Sequence, residues 1–500
     1  MTSLVAAPLA LVLALAPAGF DARAGAPSAR PKAATREARP AELSDALKAP
    51  RPKAGEWFGL YLLGKKVGHL HSHLERLPES PDKARAVNEL YFRAEVGNRV
   101  SERRHREVRV YESRPNGKLL SLTVEQSGDG GDQITEATST EKGLRVIRRR
   151  PGLPDDQRDL PPSRETIEAA DQARVALLRN APQEHFVTDG TDLQTYRITS
   201  KVEKAEKRPV AGVPVKLRRV TTLSEKEKVP ATGLFTPEGE TVEIDMGGTM
   251  RVVAEPEATA KRLDKVEVFG LTRVVLPRAL GEAQQRVPGE LKLVVSGLPE
   301  RFHGRSARQS YRVMTDGSTE ITIRAAPPAA ERRGKRPLAD PAGGEYLKPT
   351  LAVESDAPQI RALAKELVGA EPDAWQAAKR IASWVHGNLE RDYGASADRA
   401  TDVLRQKKGD CTEHSLLAVA LMRAAGIPAR RVDGLVYLMN EDGVPALYWH
   451  EWVEAFVGEW TQLDPTFNQM VADPTHLALG EEGGAEITPL IGTLKVVAVK

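Results

Sequence analysis

The chain has 500 residues, more than one hydrophobic core usually supports, so its length predicts two to four domains. Hydrophobic residues make up 40% and charged residues 28%, and no apolar run approaches the roughly 18 residues of a membrane-spanning helix, which predicts a globular chain without stable membrane insertion. Lysine plus arginine (72) exceed aspartate plus glutamate (69) only slightly, so no nucleic-acid partner is expected.

The first 54 residues divide into two segments of different composition. Leu4 to Ala16 is an alanine- and leucine-rich run, and the A-x-A pattern Ala22-Arg23-Ala24 follows it. This arrangement is typical of a signal peptide, so residues 1–24 predict export to the periplasm or the extracellular space. Residues 25–54 are dominated by alanine, proline, arginine and lysine without apolar periodicity, which predicts a disordered linker.

Between residues 55 and 182, short segments alternate apolar and polar residues with the two-residue period of β-strands. Turn dipeptides such as Asn116-Gly117 separate these segments. The pattern predicts an antiparallel β-rich domain, with one helix from Arg164 to Leu178. The predicted strands are Phe58–Leu63, Val67–Glu75, Ala86–Glu95, Glu107–Glu112 and Leu119–Glu125.

The β character continues over residues 183–325, which predicts a second β-rich domain. No fixed-period repeat is visible, so neither a propeller nor a solenoid is expected. Proline, arginine and glycine dominate residues 326–344 and predict a linker, after which residues 345–500 form the last predicted domain. The predicted strands of the second domain are Leu193–Val202, Val213–Leu223, Gly233–Phe235, Thr241–Asp245, Thr249–Glu255, Leu263–Val275, Glu290–Val295 and Thr319–Ile323.

The last predicted domain begins with helices. Pro358 falls in the first turn of a helix that Asp356 can cap and that Gly369 ends. Apolar residues at helical spacing predict a second helix from Asp373 to Leu389. Dense alanine and leucine predict a third, buried helix from Cys411 to Ala425.

Cys411 is the only cysteine of the chain, so an intramolecular disulfide does not explain its presence. Its predicted position is the N-terminus of the third helix. Unpaired backbone N–H groups and the positive end of the helix dipole favour the thiolate there, which is the reactive form of cysteine. The position therefore predicts a nucleophile, although a lone helical cysteine is more often a small buried apolar residue.

A thiol nucleophile needs a base within hydrogen-bond reach and a group that orients the base. His450 and Asp464 lie on two predicted strands that a turn at Gly458-Glu459 joins. A strict two-residue turn would direct the two side chains to opposite faces, so the pair requires a longer turn, a bulge or a strong twist. His414, one turn after Cys411, is a weaker candidate for the base because it points along the helix.

Four stretches of the last domain together resemble the transglutaminase-like superfamily. They read Gly-Asp-Cys-Thr-Glu-His from residue 409, Ala-Leu-Met-Arg-Ala-Ala-Gly-Ile-Pro-Ala-Arg-Arg-Val from residue 420, His-Glu-Trp-Val-Glu from residue 450 and Leu-Asp-Pro-Thr from residue 463. The resemblance implies Cys411 as the nucleophile, His450 as the general base and acid, and Asp464 as the orienting carboxylate.

The same resemblance implies a papain-like fold, in which a helix carries the nucleophile and an antiparallel sheet carries the other two residues. We therefore expect a multidomain chain: a β-rich antiparallel N-terminal region followed by an α+β papain-like, transglutaminase-like C-terminal domain. No cofactor is expected. His69, His71 and His73 alternate on one strand face, but neighbouring ligands on one strand need a further group from elsewhere, so we predict surface histidines and no metal site.

Two functional hypotheses follow for a protein or peptide partner. The first is acyl transfer or hydrolysis: the thiolate attacks an amide carbonyl, a thioester forms, and an amine or water accepts the acyl group. An amine would give a cross-link, and water would give deamidation or proteolysis. The alternative is a catalytically silent cell-envelope binding or assembly protein whose β-rich half, Trp57 to Ala325, recognises a partner.

Overall fold

The structure, a computed structural model, describes residues 42–500 except 53, 98, 129–130, 211, 227–228, 305, 394, 396, 441 and 482–484. The predicted signal peptide, residues 1–24, and the first part of the predicted linker, residues 25–41, lie outside the described residues. No helix within the described part of the chain has the length and apolarity needed to cross a membrane.

Residues 56–254 build one antiparallel sheet of fourteen strands. β1 lies in its middle, because it pairs with β2 along one edge and with β14 along the other. The strands are β1 Glu56–Leu62, β2 Lys65–Leu77, β3 Ser80–Val96, β4 Arg99–Glu112, β5 Leu119–Gly128, β6 Gln133–Thr140, β7 Gly143–Arg149, β8 Asp156–Leu160, β9 Gln183–Thr188, β10 Thr195–Val210, β11 Val213–Ser224, β12 Pro230–Phe235, β13 Thr241–Met246 and β14 Met250–Ala254.

Residues 42–52, which belong to the predicted disordered linker, pack on this sheet. A short helix, α1, Asp45–Lys48, begins after Ser44, whose hydroxyl accepts a hydrogen bond from the Ala46 N–H. Ser44 also donates to Glu168 at 3.0 Å, and Ala46 is fully buried in a cluster of apolar sheet residues. The prediction of disorder is therefore wrong for residues 42–52. Composition did not reveal this structure, because one buried alanine and one capped turn do not change the composition of the segment.

The predicted boundary between residues 182 and 183 does not divide the sheet. Strands from both sides of it belong to the same sheet, because β14 returns to β1 and places Ala254 opposite Phe58. Alternation along one strand reports which face a residue occupies and not which strand lies beside it. The helix predicted near the boundary is present as a 3₁₀ turn, Ile167–Asp171, and the helix α2, Gln172–Arg179.

Residues 255–325 lead from the sheet into the C-terminal unit. Leu263 to Val275, predicted as a strand, holds a helix instead, because the Glu267 carboxylate caps it by accepting hydrogen bonds from the Phe269 and Gly270 N–H groups. The elements of the segment are α3 Glu257–Ala260, α4 Val268–Thr272, β15 Val274–Val275, α5 Glu282–Gln285, β16 Gly289–Ser296, the 3₁₀ turn Glu300–Phe302, β17 Gln309–Val313 and β18 Thr319–Ala325.

The C-terminal unit combines helices with two antiparallel sheets, which confirms the predicted α+β class. Its elements are the 3₁₀ turns Ala330–Arg332, Glu345–Leu347 and Ala485–Leu490, α6 Pro358–Val368, α7 Ala374–Asn388, β19 Glu390–Arg391, α8 Ala400–Gln406, β20 Lys408–Gly409, α9 Cys411–Ala424, β21 Ala429–Met439, β22 Pro445–Phe456, β23 Trp460–Leu463, β24 Leu477–Glu481 and β25 Lys495–Val499. One sheet runs β15-β22-β21-β24 with β23 beside β22, and the other runs β17-β18-β16-β25. Strands assigned by the sequence to the second β-rich domain thus complete both sheets.

The three predicted helices of this unit are present. α7 begins at the predicted place, where Asp373 accepts hydrogen bonds from two backbone N–H groups. α6 begins at Pro358, but its N-cap is Ala357 without a side-chain bond, so the expected cap by Asp356 is wrong. α9 is buried on nearly all sides, as its alanine and leucine content predicts, and lies against β22.

Residues 326–344, the second predicted linker, run along the C-terminal unit. The Gly334 N–H donates to the Val457 carbonyl at 2.6 Å, and the Leu338 N–H donates to the Gly426 carbonyl at 2.9 Å. Backbone groups that a free linker would leave to water are therefore bonded to the turns after β22 and α9.

Candidate active site

The candidate nucleophile, Cys411, is the first residue of α9. Asp410 caps the helix by accepting a hydrogen bond from the Thr412 N–H at 2.8 Å, and the Glu413 carboxylate accepts one from the Asp410 N–H at 2.9 Å. This capping box fixes the entry into the helix. The residue before this capping box is Gly409. A larger residue would not fit at this position, because its Cβ would lie 2.2 Å from the Cβ of Glu413. The sequence thus folds locally to hold the thiol at the positive end of the helix.

His450 on the adjacent sheet meets Asp464, the residue directly after β23. His450 lies on β22, and its Nε2–H donates to the Asp464 Oδ2 at 2.8 Å. The other carboxylate oxygen of Asp464 accepts hydrogen bonds from the Thr466 N–H at 2.7 Å and the Phe467 N–H at 3.1 Å. The orientation of the carboxylate is therefore fixed from both sides, with one side directed at the imidazole.

A three-residue turn between β22 and β23 allows the side chains of His450 and Asp464 to lie on the same face of the sheet. β22 and β23 pair with Phe456 opposite Trp460, so three residues and not two connect the strands. This register places Asp464 across from Trp452, and Trp452 shares a strand face with His450. The two side chains consequently meet on one face, as the longer-turn alternative requires.

Cys411 and His450 interact directly. A hydrogen bond between their side chains contributes to the pKa shifts of both residues. Cys411 is 8% exposed and His450 is 6% exposed, so little water screens their interaction. All three residues predicted from the sequence are brought into one hydrogen-bonded series.

The charges of the site reinforce each other. Burial lowers the pKa of His450, but the negative charges of Asp464 and Cys411 outweigh burial and raise it to about 10. Burial raises the pKa of Asp464, while His450 and His476 hold it well below its usual value. For the Cys411 thiol, burial and the negative charge of Asp410 raise the pKa, and the charge and hydrogen bond of His450 lower it. The arrangement favours a thiolate, an imidazolium and a carboxylate in series.

Two further residues belong to this series and were missed by the sequence analysis. The Nε2 of His476 lies 3.1 Å from the same Oδ2 of Asp464, and its Nδ1 lies 3.2 Å from the Asp473 Oδ1. His476 is fully buried. The only signal in the sequence is Asp473 three residues before a histidine, a spacing that is common in ordinary turns.

A metal ion could be considered at His450, Asp464 and His476, whose ligand atoms lie within 4.8 Å of one another. This is the only such group among the described residues. Each of these atoms takes part in a hydrogen bond in which a ring N–H faces a carboxylate oxygen. Because this pairing of donors and acceptors accounts for the whole cluster, we assign it to hydrogen bonding.

The remaining candidate histidines have other roles. The Nδ1 of His414 lies 2.7 Å from the Asp410 carbonyl oxygen, which makes it a packing residue of the α9 N-terminus rather than a base across the site. Burial also lowers its pKa. In the fourteen-stranded sheet, His71 stacks on Trp57 at 4.5 Å, and His73 pairs with Glu75 at 3.5 Å. The ring of His69 lies between Trp57 and Tyr91, at centroid distances of 5.7 and 5.2 Å.

A small cavity of about 70 Å³ opens beside Cys411 and His450. Aromatic rings form much of its wall, and Phe269 from α4 meets Tyr393 at 5.3 Å and Tyr448 at 6.5 Å, edge to face in both cases. A Cβ on Gly97, in the turn between β3 and β4, would lie within 3.5 Å of Tyr393 and Phe269. The N-terminal sheet therefore reaches the wall of the cavity.

A buried thiol at a helix N-terminus, with a histidine on a neighbouring antiparallel strand and an aspartate directly after the next strand, is the arrangement that thiol enzymes use. The comparison with known families is consistent with that class. Residues 361–465 match the transglutaminase-like superfamily, so the chain carries a domain of this superfamily. His476 and Asp473 lie beyond the matched residues.

Curated relatives cover only part of the chain. An uncharacterized protein of Haemophilus influenzae is 34% identical over 96 residues, which are 18% of this chain and 26% of that protein. Another, the uncharacterized protein ML0607 of Mycobacterium leprae, is 25% identical over 154 residues, 30% of this chain and 54% of that protein. The chain thus spans about a quarter and about half of the lengths of these relatives.

Among solved structures, a provisionally assigned cysteine protease from Cytophaga hutchinsonii is similar to this chain. The sequence identity is 18% and the TM-score is 0.28; the alignment covers 46% of this chain and 85% of that one.

Proposed function

We propose that the C-terminal unit catalyses thiol-dependent acyl transfer or hydrolysis on protein or peptide amides. The observation that carries the proposal is the series from Cys411 through His450 to Asp464, with the imidazole bonded to both partners. A cysteine kept only for packing would not need a charged imidazole beside it, nor a carboxylate fixed to orient that imidazole.

The reaction follows from the positions of these three groups. The Cys411 thiolate attacks the amide carbonyl carbon, and the backbone N–H groups at the start of α9 can stabilise the negative oxygen that forms. The His450 imidazolium gives its proton to the departing nitrogen as the C–N bond breaks, which leaves a thioester. Neutral His450 then removes a proton from water or an amine as this acceptor attacks the thioester and frees the thiolate.

Mass spectrometry of intact peptides tests the proposal. Glutamine-containing peptides are incubated with the full chain and with Cys411→Ala, each with and without a primary amine. Addition of the amine would indicate transfer, the small mass gain of deamidation would indicate hydrolysis of a side-chain amide, and shortened peptides would indicate proteolysis. Products that form equally with Cys411→Ala, or no product with the wild type on a broad peptide library, would contradict the proposal.

A second candidate, partner recognition by the β-rich half without catalysis, is favoured by a groove on the large sheet. The groove has a volume of about 600 Å³ and runs across several neighbouring strands. Aromatic and charged side chains line it, including Trp57, Tyr91, Arg104, Glu125 and Lys261. Calorimetric titration with the same peptides separates the candidates, because binding without any turnover would support recognition alone.

We further propose that the protein is exported, from the apolar run Leu4 to Ala16 and the following A-x-A pattern. Cell fractionation of a tagged full-length protein tests this. Retention in the cytoplasm at full mass would contradict it.

A further inference from the structure

A second histidine lies behind the candidate active site, between two buried carboxylates. Its two ring nitrogens, the Nε2 and Nδ1 of His476, face Asp464 and Asp473 at 3.1 and 3.2 Å. The ring is fully buried, and Trp452 covers it edge-on at 5.1 Å. His476 does not line the cavity beside Cys411, so it can act on the reaction only through its neighbours: Asp464, and His450, whose ring centroid lies 5.9 Å away.

We propose that His476 is a positioning residue of this site: as an imidazolium anchored by Asp473, it holds the Asp464 carboxylate toward His450 and lowers the pH at which Cys411 becomes a reactive thiolate. The inference rests on the proposed function of Cys411, and it deepens that function by adding a residue beyond the transglutaminase-like match.

The hydrogen bonds determine the charge of His476. A neutral imidazole has one N–H donor and one acceptor, whereas both of its nitrogens here face carboxylate oxygens, which only accept. Both contacts are satisfied only if both nitrogens carry hydrogen, that is, in the imidazolium. Burial raises the pKa of Asp473, whereas the hydrogen bond and charge of a protonated His476 lower it to about 2.

Asp473 is itself fixed in place. Its Oδ1 accepts hydrogen bonds from the Thr475 backbone N–H and hydroxyl at 2.8 and 2.6 Å, and its Oδ2 accepts one from Gln469 at 2.9 Å. The Arg308 guanidinium donates to the Asp473 carbonyl oxygen at 2.8 Å. The position of Asp473 therefore depends on Arg308, in the segment before β17, as well as on the loop before β24.

Charged and titratable groups from every neighbouring element surround His476 and Asp464. Asp464 and Asp473 come from the loop between β23 and β24, His450 from β22, and Arg308 from the segment before β17. The α9 N-terminus contributes the remaining groups, Asp410, Cys411, Glu413 and His414. Along the series from Cys411 to Asp473, negative and positive groups alternate.

Removing the positive charge of His476 should raise the pH at which Cys411 and His450 lose their protons. A cation stabilises nearby anions, so without it the thiol of Cys411 holds its proton to a higher pH, and so does the imidazole of His450. Glutamine can still donate one hydrogen bond to Asp464 but carries no charge. His476→Gln therefore separates the charge of His476 from its hydrogen bond.

The test is the rate at which iodoacetamide alkylates Cys411 as a function of pH. Because the chain has one cysteine, intact mass reports that residue alone. We expect His476→Gln to move the midpoint of the rate to higher pH by on the order of one unit. The matched control is His185→Gln, a buried histidine on β9, which should leave the midpoint unchanged.

The outcomes distinguish this inference from the proposed function. If Cys411 of the wild type reacts no faster than a free thiol near neutral pH, both fail. If the wild-type thiol is activated and His476→Gln has the same midpoint, only the role of His476 fails. Nitrogen NMR of the histidine-labelled wild type needs no variant, and a neutral His476 ring near neutral pH would also overturn the inference.

Discussion

His450 is charged in spite of its surroundings. Burial disfavours an imidazolium, yet two anionic partners raise the pKa of His450 to about 10. Since this value exceeds the ordinary 6.5, folding binds a proton more tightly at this residue than the unfolded chain does. The site therefore contributes to stability as well as to reactivity, and the contribution depends on pH.

The contribution of His450 should be complete below about pH 6.5 and lost as the pH rises through about 10. Asp464 acts at the acid end, because its lowered pKa gives stability that is present above its ordinary value of 3.8 and lost as the pH falls further. Thermal unfolding of wild type and His450→Gln measures this. We expect a difference on the order of 3 kcal/mol at pH 6 and a much smaller one above pH 10; a difference that does not vary with pH would contradict it.

The residues of the site were predictable to different degrees. Cys411, His450 and Asp464 lie in three of the four stretches that resemble the transglutaminase-like superfamily, so the sequence identifies them together as one set. His476 stands in no such motif. His476 reaches Asp464 only because the loop after β23 folds back on itself. This contact depends on three-dimensional packing and cannot be read from the spacing of the two residues in the sequence.

The turn between β22 and β23 sets the geometry of the site at the scale of elements. Gly458 in this turn has a φ of +112°, and a Cβ on it would lie 1.8 Å from the Arg332 carbonyl oxygen. The turn therefore has no room for a side chain, and the segment 326–344 supplies the wall. The turn sets the register of β23, and that register positions Asp464 beside His450. A side chain at residue 458 would therefore disturb the active site as well as the turn.

Gly458→Ala should destabilise the chain and reduce Cys411 reactivity. The matched control is Gly443→Ala in the turn before β22, where φ is +68° and no atom lies within 4 Å of the added Cβ. The control should cost about 1–2 kcal/mol for the left-handed backbone alone, and Gly458→Ala at least about 1 kcal/mol more. Urea unfolding and iodoacetamide alkylation measure the two effects; equal results for the two variants would contradict this explanation.

Local elements followed the sequence better than their connections did. The five strands predicted before residue 126 are present, because period-two alternation and turn dipeptides are local properties. The strands at Gln133–Thr140 and Gly143–Arg149 were missed, since their faces are mostly polar or charged. The helix α4 was missed because its cap, and not its periodicity, specifies it.

At the scale of the whole molecule, ion pairs connect the large sheet to the C-terminal unit. Arg150, after β7, pairs with Asp402 of α8, and their side chains are 16% and 8% exposed. Arg158 of β8 pairs with Glu354 at 3.2 Å. The low exposure of the Arg150–Asp402 pair means that salt screens it less than it screens a surface pair.

A double-mutant cycle with Arg150→Gln and Asp402→Asn should give a coupling energy of about 1–3 kcal/mol in thermal unfolding. The control cycle uses Arg145→Gln and Asp159→Asn, an ion pair within the sheet whose side chains are 63% and 78% exposed. Its coupling should stay below about 0.5 kcal/mol. Similar coupling in both cycles would argue against an energetic link between sheet and C-terminal unit.

The pairing of β1 with β14 has a consequence for synthesis on the ribosome. Leu62 of β1 pairs with Met250 of β14, which lies roughly 190 residues later in the chain. At elongation rates of about 5–20 residues per second, one edge of β1 waits on the order of ten seconds or more for its partner. During that interval an unpaired strand edge is open to other chains. We therefore expect newly made protein to depend on holding chaperones until residue 254 has emerged.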